Sequence, residues 1–270
     1  MRWWLPALLP LLGCEPPEQA PKELDDLVGF LFDHLRDEDT SLLAAGVTNL
    51  DAWLIEDIET TTDGYAVNNL DQQTIDSLEG VVAEIDGNLQ GAAVGHESPH
   101  DAETIISTLL TTSSAEIYPK TYLSSDREIF GDADCFLAGE CDFLDAHVAN
   151  SLDYTLLTAE VASALEYRRV PFGQGDVILE RDWLDETPAL SVDWLRLDAQ
   201  LFLRAFIPTE EGGSRQVAAT WFVYTFLDAD LDEAIALNIV IDSMSKQSTE
   251  LDTWISDEQS GLHDDPENTE

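Results

Sequence analysis

The amino-acid sequence of 270 residues predicts an α+β fold, in which an antiparallel β-meander packs against a long C-terminal helix and a helical hairpin precedes the sheet. Three patterns support this prediction. Apolar residues recur with helical spacing from Lys22 to about Ile58, alternate with period two from Trp194 to Ile207, and return to helical spacing from Leu231 to Ile255. Hydrophobic residues make up 44% of the chain, so a packed core is expected.

Residues 22–80 are predicted to form a helical N-terminal region. Two apolar stripes, separated by the turn sequence Asp37-Glu38-Asp39-Thr40, indicate two helices that form a hairpin. The stripes consist of Leu24, Leu27, Val28, Leu31 and Leu35 in the first helix and of Leu43, Val47, Leu50 and Leu54 in the second. A weaker apolar pattern continues through the rest of this region.

Residues 81–255 are predicted to form the α+β domain. β-Branched residues around Asp86-Gly87-Asn88 favour a strand or hairpin over residues 81–94. The order Ser98-Pro99-His100-Asp101 predicts a helix that begins at Ser98 and runs to about Thr111, after which an irregular stretch leads to two cysteines. Long strands of the meander are predicted over residues 154–170, 177–184, 194–207 and 217–226.

The C-terminal helix carries an apolar stripe along its whole length, because its apolar residues step by three and four. Residues 256–270 follow it with six acidic residues and no lysine or arginine, which predicts a disordered acidic tail. The whole chain has 12 Lys and Arg against 55 Asp and Glu, a formal net charge of −43. This charge repels phosphate backbones, so nucleic-acid binding is excluded.

The N-terminus has the features of a targeting segment. A positive start at Arg2 precedes the apolar residues 3–12, which are too few to span the roughly 30 Å of a bilayer core. The sequence Leu11-Leu12-Gly13-Cys14 resembles the lipobox of bacterial lipoproteins. The resemblance implies that residues 1–13 are a signal peptide and that Cys14 is lipid-modified. The alternative is an ordinary secretory signal with a chance cysteine.

The resemblance to lipoproteins also implies a place in the cell. The lipid-modified Cys14 would anchor the protein to the bacterial envelope membrane, and the proline-rich residues 14–21 would form a tether. Glu15 stands where an aspartate would resemble the inner-membrane retention signal, so the outer membrane is the expected location.

Cys135 and Cys141 are predicted to form a disulfide. If Cys14 is lipid-modified, these two are the remaining cysteines, and both would face an oxidising compartment. The alternative is a metal site in which His147 and a nearby aspartate join the cysteines. The candidate aspartates are Asp132, Asp134 and Asp142.

The sequence His96-Glu97-Ser98-Pro99-His100 matches the H-E-x-x-H motif of zinc proteases. That motif requires one helix under both histidines, and Pro99 interrupts a helix at this point. A looser metal site that uses His96, His100 and an acid is the alternative. We therefore predict no zinc-protease centre here.

Two further motifs fail on their context. Ser243-Met244-Ser245-Lys246 matches the S-x-x-K of penicillin-binding proteins, but the other elements of that family do not follow it. Residues 228–232 begin like an EF-hand loop, but Glu233 stands where that loop requires glycine. The sequence thus predicts no catalytic residue, no metal ligand and no cofactor.

Arginines are concentrated on the predicted strands. Together with aromatic residues on a shared sheet face, they could hold the carboxylate or phosphate of an amphipathic ligand. The candidate binding residues are Arg169, Arg181, Arg196, Arg204, Trp194 and Phe202. The alternative is cross-strand pairing with acids that alternate among the arginines, namely Glu160, Glu166, Glu180, Asp182 and Asp198.

The order of strand, helix, long meander and C-terminal helix over residues 81–255 resembles the helix-grip architecture of START-like lipid-binding domains. The resemblance implies a cavity between sheet and helix. The sequence-based hypothesis is therefore a non-catalytic envelope lipoprotein that binds or carries a hydrophobic or amphipathic ligand. The alternative is a structural or protein-interaction lipoprotein without a small-molecule ligand, and an enzyme ranks third.

Overall fold

The structure is a computed structural model that describes residues 19–78, 80, 89–154, 157–173, 175–227 and 233–261. The lipobox, the tether up to residue 18, the predicted turn at 86–88, the EF-hand-like residues 228–232 and the tail from residue 262 lie outside the described residues. No helix among the described residues is long and apolar enough to cross a bilayer.

The described elements confirm the α+β class. The helices are α1 Leu24–Asp33, α2 Ser41–Asp57, α3 Gln72–Ser77, α4 Ala102–Thr111, α5 Ser114–Ile117, α6 Ala133–Leu137 and α7 Glu233–Gln259. The strands are β1 Tyr65–Val67, β2 Gln90–Ser98, β3 Tyr122–Phe130, β4 Phe143–Tyr154, β5 Leu157–Phe172, β6 Gly175–Leu184, β7 Ala189–Leu190, β8 Leu195–Pro208 and β9 Ser214–Phe226.

The described strands form one antiparallel sheet in the order β1-β2-β9-β8-β6-β5-β4-β3, with β7 paired to β5. α7 lies on one face of this sheet, which we call the inner face, and the opposite face is the outer face.

Helices cover both faces of the sheet. Leu203 and Ala205 of β8 point to the outer face, where they share a core with Leu27 and Leu31 of α1 and Leu50 of α2. Phe206 points to the inner face and packs with α4 and with the C-terminal half of α7. The alternation along this strand predicted one wholly apolar face, and the structure buries that face on the outer side together with Phe202 and Phe206 of the other face.

Several predicted boundaries need correction. The helix predicted to begin at Ser98 begins at Ala102, and Asp101 caps it by accepting a hydrogen bond from the Thr104 amide at 2.8 Å. Ser98 instead ends β2, where it pairs with Ser214. The helix predicted to end at residue 255 continues to Gln259, so the first residues assigned to the disordered tail are helical.

β3 lies where the sequence predicted an irregular stretch, and β4 lies between the cysteine loop and the first predicted strand of the meander. β3 is an edge strand, and its residues alternate between half-buried and exposed positions that carry serines and charges, so its apolar signal is weak. β4 pairs with it and begins directly after the cysteine loop. Within the predicted helical region 22–80, β1 adds a short strand to the other edge of the sheet.

The predicted disulfide is confirmed. Cys135 and Cys141 are bonded, with their Cα atoms 5.3 Å apart. Cys135 lies in α6, which Asp132 caps through a 2.9 Å hydrogen bond from the Cys135 amide. The bond closes a small loop immediately before β4.

The N-terminal hairpin is fastened to the outer face by a buried ionic link. Arg181 of β6 donates to Glu166 of β5 at 2.8 Å and to the carbonyl oxygen of Phe32 at the end of α1, 2.6 Å away. Arg36, which follows α1, donates to the other oxygen of Glu166 at 2.7 Å. One carboxylate therefore holds a strand cation and a hairpin cation together.

Replacing Glu166 by alanine is expected to lower the free energy of unfolding by roughly 3 to 5 kcal/mol, because Arg181 would remain buried without a carboxylate partner. Asp145→Ala is the matched control, since the Asp145–Arg36 pair is largely exposed and contributes about 0 to 1 kcal/mol. Urea titration measures both variants. Equal small losses would contradict this account of how the hairpin is held.

Candidate functional site

The candidate site is the interface between α7 and the inner face of the sheet. Ile241 and Met244 in the N-terminal half of α7 pack on Ala92 and Val94 of β2 and on Phe202 of β8. The apolar stripe predicted for this helix is therefore the face that covers the sheet. Farther along the helix, Leu251 and Ile255 pack in the core formed with α4.

Polar contacts fix the C-terminal half of α7 to β2. Asp252 accepts a hydrogen bond from the Ser98 hydroxyl at 2.5 Å, and its second oxygen lies 2.7 Å from Nε2 of His96. Nε2 of His100 lies 3.1 Å from both the Asp252 carbonyl oxygen and the Ser256 hydroxyl. We refer to these five residues as the Asp252 clasp.

Both histidines of the H-E-x-x-H sequence belong to this clasp. The first three residues of that sequence lie on β2, and both histidines contact α7. Within the described part of the chain, no three His, Cys, Asp or Glu side chains are arranged to hold a metal ion. In the S-x-x-K match, Lys246 of α7 pairs with Glu250, one helical turn away.

A small cavity lies between α7 and the sheet. Its volume is about 20 Å³, measured as the space open to the centre of a water-sized sphere. Lining residues include Tyr118, Phe202, Arg204, Ala218, Met244 and Gln247. A cavity of this size holds about one water molecule, whereas small-molecule sites are typically of the order of 300–1,000 Å³. A larger ligand therefore requires α7 to move away from the sheet.

The inner face carries ionisable groups beside this cavity. Arg204 of β8 lies directly opposite Glu180 of β6, with Nη1 3.6 Å from Oε1, and its guanidinium lies over the Phe202 ring at 4.9 Å. Asp182 follows Glu180 on the same face of the same strand. We refer to Arg204, Glu180 and Asp182 as the inner ionisable cluster.

Two features of this cluster are unusual for a protein interior. Glu180 is 3% exposed, and its Oε2 has no hydrogen-bond partner among the described residues. Burial raises the pKa of Asp182 to about 7, and the neighbouring charge of Glu180 contributes in the same direction, while Arg204 opposes the shift. Unpaired or ionised buried carboxylates cost free energy, so a selected role beyond packing is indicated.

Tyrosines surround the inner ionisable cluster. Burial raises the pKa of Tyr118 to about 12, and burial also raises the pKa values of Tyr122 and Tyr167. The rings of Tyr118 and Tyr122 are 5.6 Å apart. These phenols are therefore neutral near pH 7 and present hydrogen-bond donors next to apolar ring surface.

The structure brings together two of the six predicted binding residues. Arg204 and Phe202 line the cavity, whereas Arg181 lies on the opposite face of the sheet in the link to α1. The expectation that these arginines share one face is thus wrong, because the register places Arg181 beside Glu166 and Arg204 beside Glu180.

The remaining predicted residues lie elsewhere. Arg169 is buried on the inner side against α4, where it donates to both oxygens of Glu103 at 2.5 Å. Arg196 is exposed and pairs with Asp198, and the Trp194 ring stacks on Phe226 with the ring centres 6.5 Å apart. The alternative interpretation of cross-strand pairing therefore holds for Arg181 and Arg204, whereas Arg196 pairs with Asp198 on its own strand.

The sequence analysis assigned Glu180 and Asp182 solely to pairing and missed Tyr118 and Tyr122. The signal for the first two is the period-two order of Ile178, Glu180 and Asp182, which places two carboxylates on one strand face. Tyr118 and Tyr122 lie at the approach to β3, which the sequence did not predict as a strand.

Comparison with known proteins adds limited information. No family model matches the sequence, and no curated protein matches it. Human STARD10 is 9% identical, covers 76% of this chain and 87% of its own, and has a TM-score of 0.43. A STAR-related lipid transfer protein fragment from Xanthomonas axonopodis is 12% identical, with 64% and 89% coverage and a TM-score of 0.41.

A third solved structure, the Zhui aromatase/cyclase from Streptomyces sp. R1128, is 12% identical, covers 63% of this chain and 96% of its own, and has a TM-score of 0.39. Similarities of this degree carry no information about ligand or activity. The description of the fold therefore depends on the strand order and on the placement of α7.

Asp182→Asn is expected to stabilise the protein more at about pH 8 than at about pH 5. In the folded protein, burial raises the pKa of the Asp182 carboxyl from 3.8 to about 7. The contribution of this carboxyl to the stability of the wild type is therefore fully present below its pKa in the unfolded chain, and it is lost as the pH rises through 7 and the carboxyl ionises in the folded state. The advantage of the variant should grow by roughly 1 to 3 kcal/mol across this range. Chemical denaturation at both pH values measures it.

The control for this pH dependence is Asp193→Asn, which changes an exposed acid. Its effect on the free energy of unfolding should be the same at both pH values. An advantage of Asp182→Asn that does not change with pH would contradict the burial of an ionisable carboxyl at this position.

Proposed function

We propose that this chain is a non-catalytic, lipid-anchored protein of the bacterial cell envelope that binds an amphipathic molecule between α7 and the inner face of the sheet. The observation that carries the proposal is the inner ionisable cluster. A carboxylate without a hydrogen-bond partner and a carboxyl with a raised pKa lie beside the apolar side chains that α7 covers. This combination supports a ligand with one polar end and one apolar end.

Ligand binding in this place requires α7 to open, and its two halves differ in a way that supports this step. The C-terminal half is held by the Asp252 clasp. In the N-terminal half, residues 237–240 are exposed or half-buried, and the side chain of Ile239 is 63% exposed. The described residues of the N-terminal half contact the sheet through apolar side chains such as Ile241 and Met244, so the clasp serves as the fixed point when this half moves.

Locking the N-terminal half of α7 to β2 is expected to abolish binding. Ala92→Cys and Ile241→Cys introduce a cysteine pair within one apolar cluster. Titration with the neutral fluorescent probe N-phenyl-1-naphthylamine should give saturable binding to the reduced double variant. Binding by the oxidised form should be at least about tenfold weaker, because the probe cannot enter without the opening.

The wild-type protein, oxidised and reduced in parallel, controls for effects on the native disulfide and on folding. Equal affinity in the locked and unlocked forms would contradict a site beneath α7. Absence of saturable binding to both the wild type and the reduced variant would contradict the proposed function.

A second function, interaction with another envelope protein, is favoured by one observation. The exposed side chains of Leu123, Tyr154 and Leu227 lie at the same end of the sheet, because the register joins the start of β3, the end of β4 and the end of β9 there. Exposed apolar groups gathered in one region are typical of contact surfaces. If N-phenyl-1-naphthylamine does not bind, interaction with another envelope protein is favoured over ligand binding.

The lipid anchor is proposed on the lipobox sequence, which lies outside the described residues. Cys14→Ser is expected to abolish incorporation of an alkyne-labelled palmitate and to release the protein from the outer-membrane fraction of a density gradient. Cys135→Ser is the matched control and should keep the label. Retention of label and membrane association by Cys14→Ser would contradict the anchor.

A further inference from the structure

The chemistry of the inner face identifies the polar end of the ligand. This inference rests on the proposed binding beneath α7. Glu180 and Asp182 give the inner ionisable cluster two carboxyl groups against the single guanidinium of Arg204. When Asp182 ionises, the cluster carries two carboxylates against one guanidinium, and a cationic ligand can supply the balancing charge.

Two buried polar atoms near the cavity have no hydrogen-bond partner among the described residues, namely the donor Nε of Arg127 on β3 and the acceptor Oε2 of Glu180. The Arg127 guanidinium already donates to the carbonyl oxygen of Leu109. Within the inner ionisable cluster, the unpaired atom is therefore the acceptor of Glu180, and the half-buried Asp182 lies two residues along the same strand face. Buried acceptors of this kind are satisfied by a ligand that brings N–H or O–H groups.

We propose that the ligand is an amphiphile whose polar end is a protonated amine, with its ammonium group bound by Asp182 and Glu180 and its apolar part beneath α7. This replaces the sequence-based hypothesis that the arginines hold a carboxylate or phosphate. Arg204 already faces Glu180 and the Phe202 ring, and Arg169 and Arg181 are engaged by other carboxylates.

Electrostatics at two length scales favour a cation over an anion. Within the cluster, an anionic head group would add a third acidic group to Glu180 and Asp182 beside the single Arg204. An ammonium group would instead balance the charge of the second carboxylate. Over the whole molecule, a net charge of −43 attracts cationic ligands and repels anionic ones during their approach. The pKa of Asp182, raised to about 7, allows this carboxyl to ionise readily when a cation arrives.

The groups around the site fit this assignment. Tyr118, Tyr122 and Tyr167 surround the cluster as neutral phenols, and α7 contributes the amide Gln247 to the cavity lining. Aromatic faces also attract ammonium groups.

Four probes with the same twelve-carbon chain test the head-group assignment by displacing N-phenyl-1-naphthylamine from the full-length protein. Dodecylamine carries a cation that donates hydrogen bonds, dodecyltrimethylammonium a cation without a donor, dodecanol a neutral hydroxyl and dodecanoate an anion. Dodecylamine should bind at least about tenfold more tightly than dodecanoate and more tightly than dodecyltrimethylammonium, since charge-assisted hydrogen bonds are the stronger ones.

Variants connect this preference to the named carboxylates. Asp182→Asn and Glu180→Gln should each weaken dodecylamine binding about tenfold and weaken dodecanol binding less, because the hydroxyl makes a neutral hydrogen bond and loses no charge interaction, while Asp193→Asn changes neither. Asp182 is half-buried, so its variant provides the test even if Glu180→Gln fails to fold.

The outcomes separate the two proposals. Dodecanoate binding that equals or exceeds that of dodecylamine, or dodecylamine binding that is unaffected by Asp182→Asn, overturns the ammonium assignment and leaves the proposed function in place. If the fluorescent probe and all four twelve-carbon compounds fail to bind, both proposals are overturned.

Discussion

Coverage of the sheet on both faces is the constraint on which the rest of this structure depends. The central strands β6 and β8 lie between α1 and α2 on the outer face and α4 and α7 on the inner face, so most of their side chains are withdrawn from bulk water. A buried charge on these strands must find a partner within the protein. Arg181 and Glu166 do so completely, whereas Oε2 of Glu180 has no hydrogen-bond partner among the described residues.

The ion pairs on the two faces of the sheet differ in how fully their atoms are hydrogen-bonded. On the outer face, Glu166 uses both oxygens, one for each of two arginines, and Arg181 also reaches a carbonyl oxygen of the hairpin. On the inner face, the contact between Arg204 and Glu180 is longer, at 3.6 Å, and leaves an acceptor unused. The first arrangement holds two layers together, and the second leaves one buried carboxylate oxygen without a hydrogen-bond partner among the described residues.

Local periodicity predicted the elements that pack on one continuous stripe or face. The α1–α2 hairpin, the alternation along β8 and the apolar stripe of α7 are all present because each depends on residues close in sequence. The start of α4 was placed wrongly because the hydroxyl of Ser98 is used by Asp252, which is 154 residues away. No local pattern contains that contact.

The candidate site could be predicted in part for a similar reason. Arg204 and Phe202 share a strand, so their common face follows from their spacing of two residues. Whether Arg181 lies on the same sheet face as these two residues depends on how β6 pairs with β8. The spacing of residues within one strand does not give that register. Tyr118 and Tyr122 were missed because the edge strand β3 carries serine and charged residues among its apolar ones.

The pairing of β2 with β9 has a consequence for how the molecule is made. β2 ends at Ser98 and its partner begins at Ser214, so this edge of the sheet remains without its neighbour until most of the chain has left the ribosome. The Asp252 clasp forms later still, near the C-terminus. Folding therefore proceeds through a long-range closure, and the inner face is the last part of the molecule to be sealed.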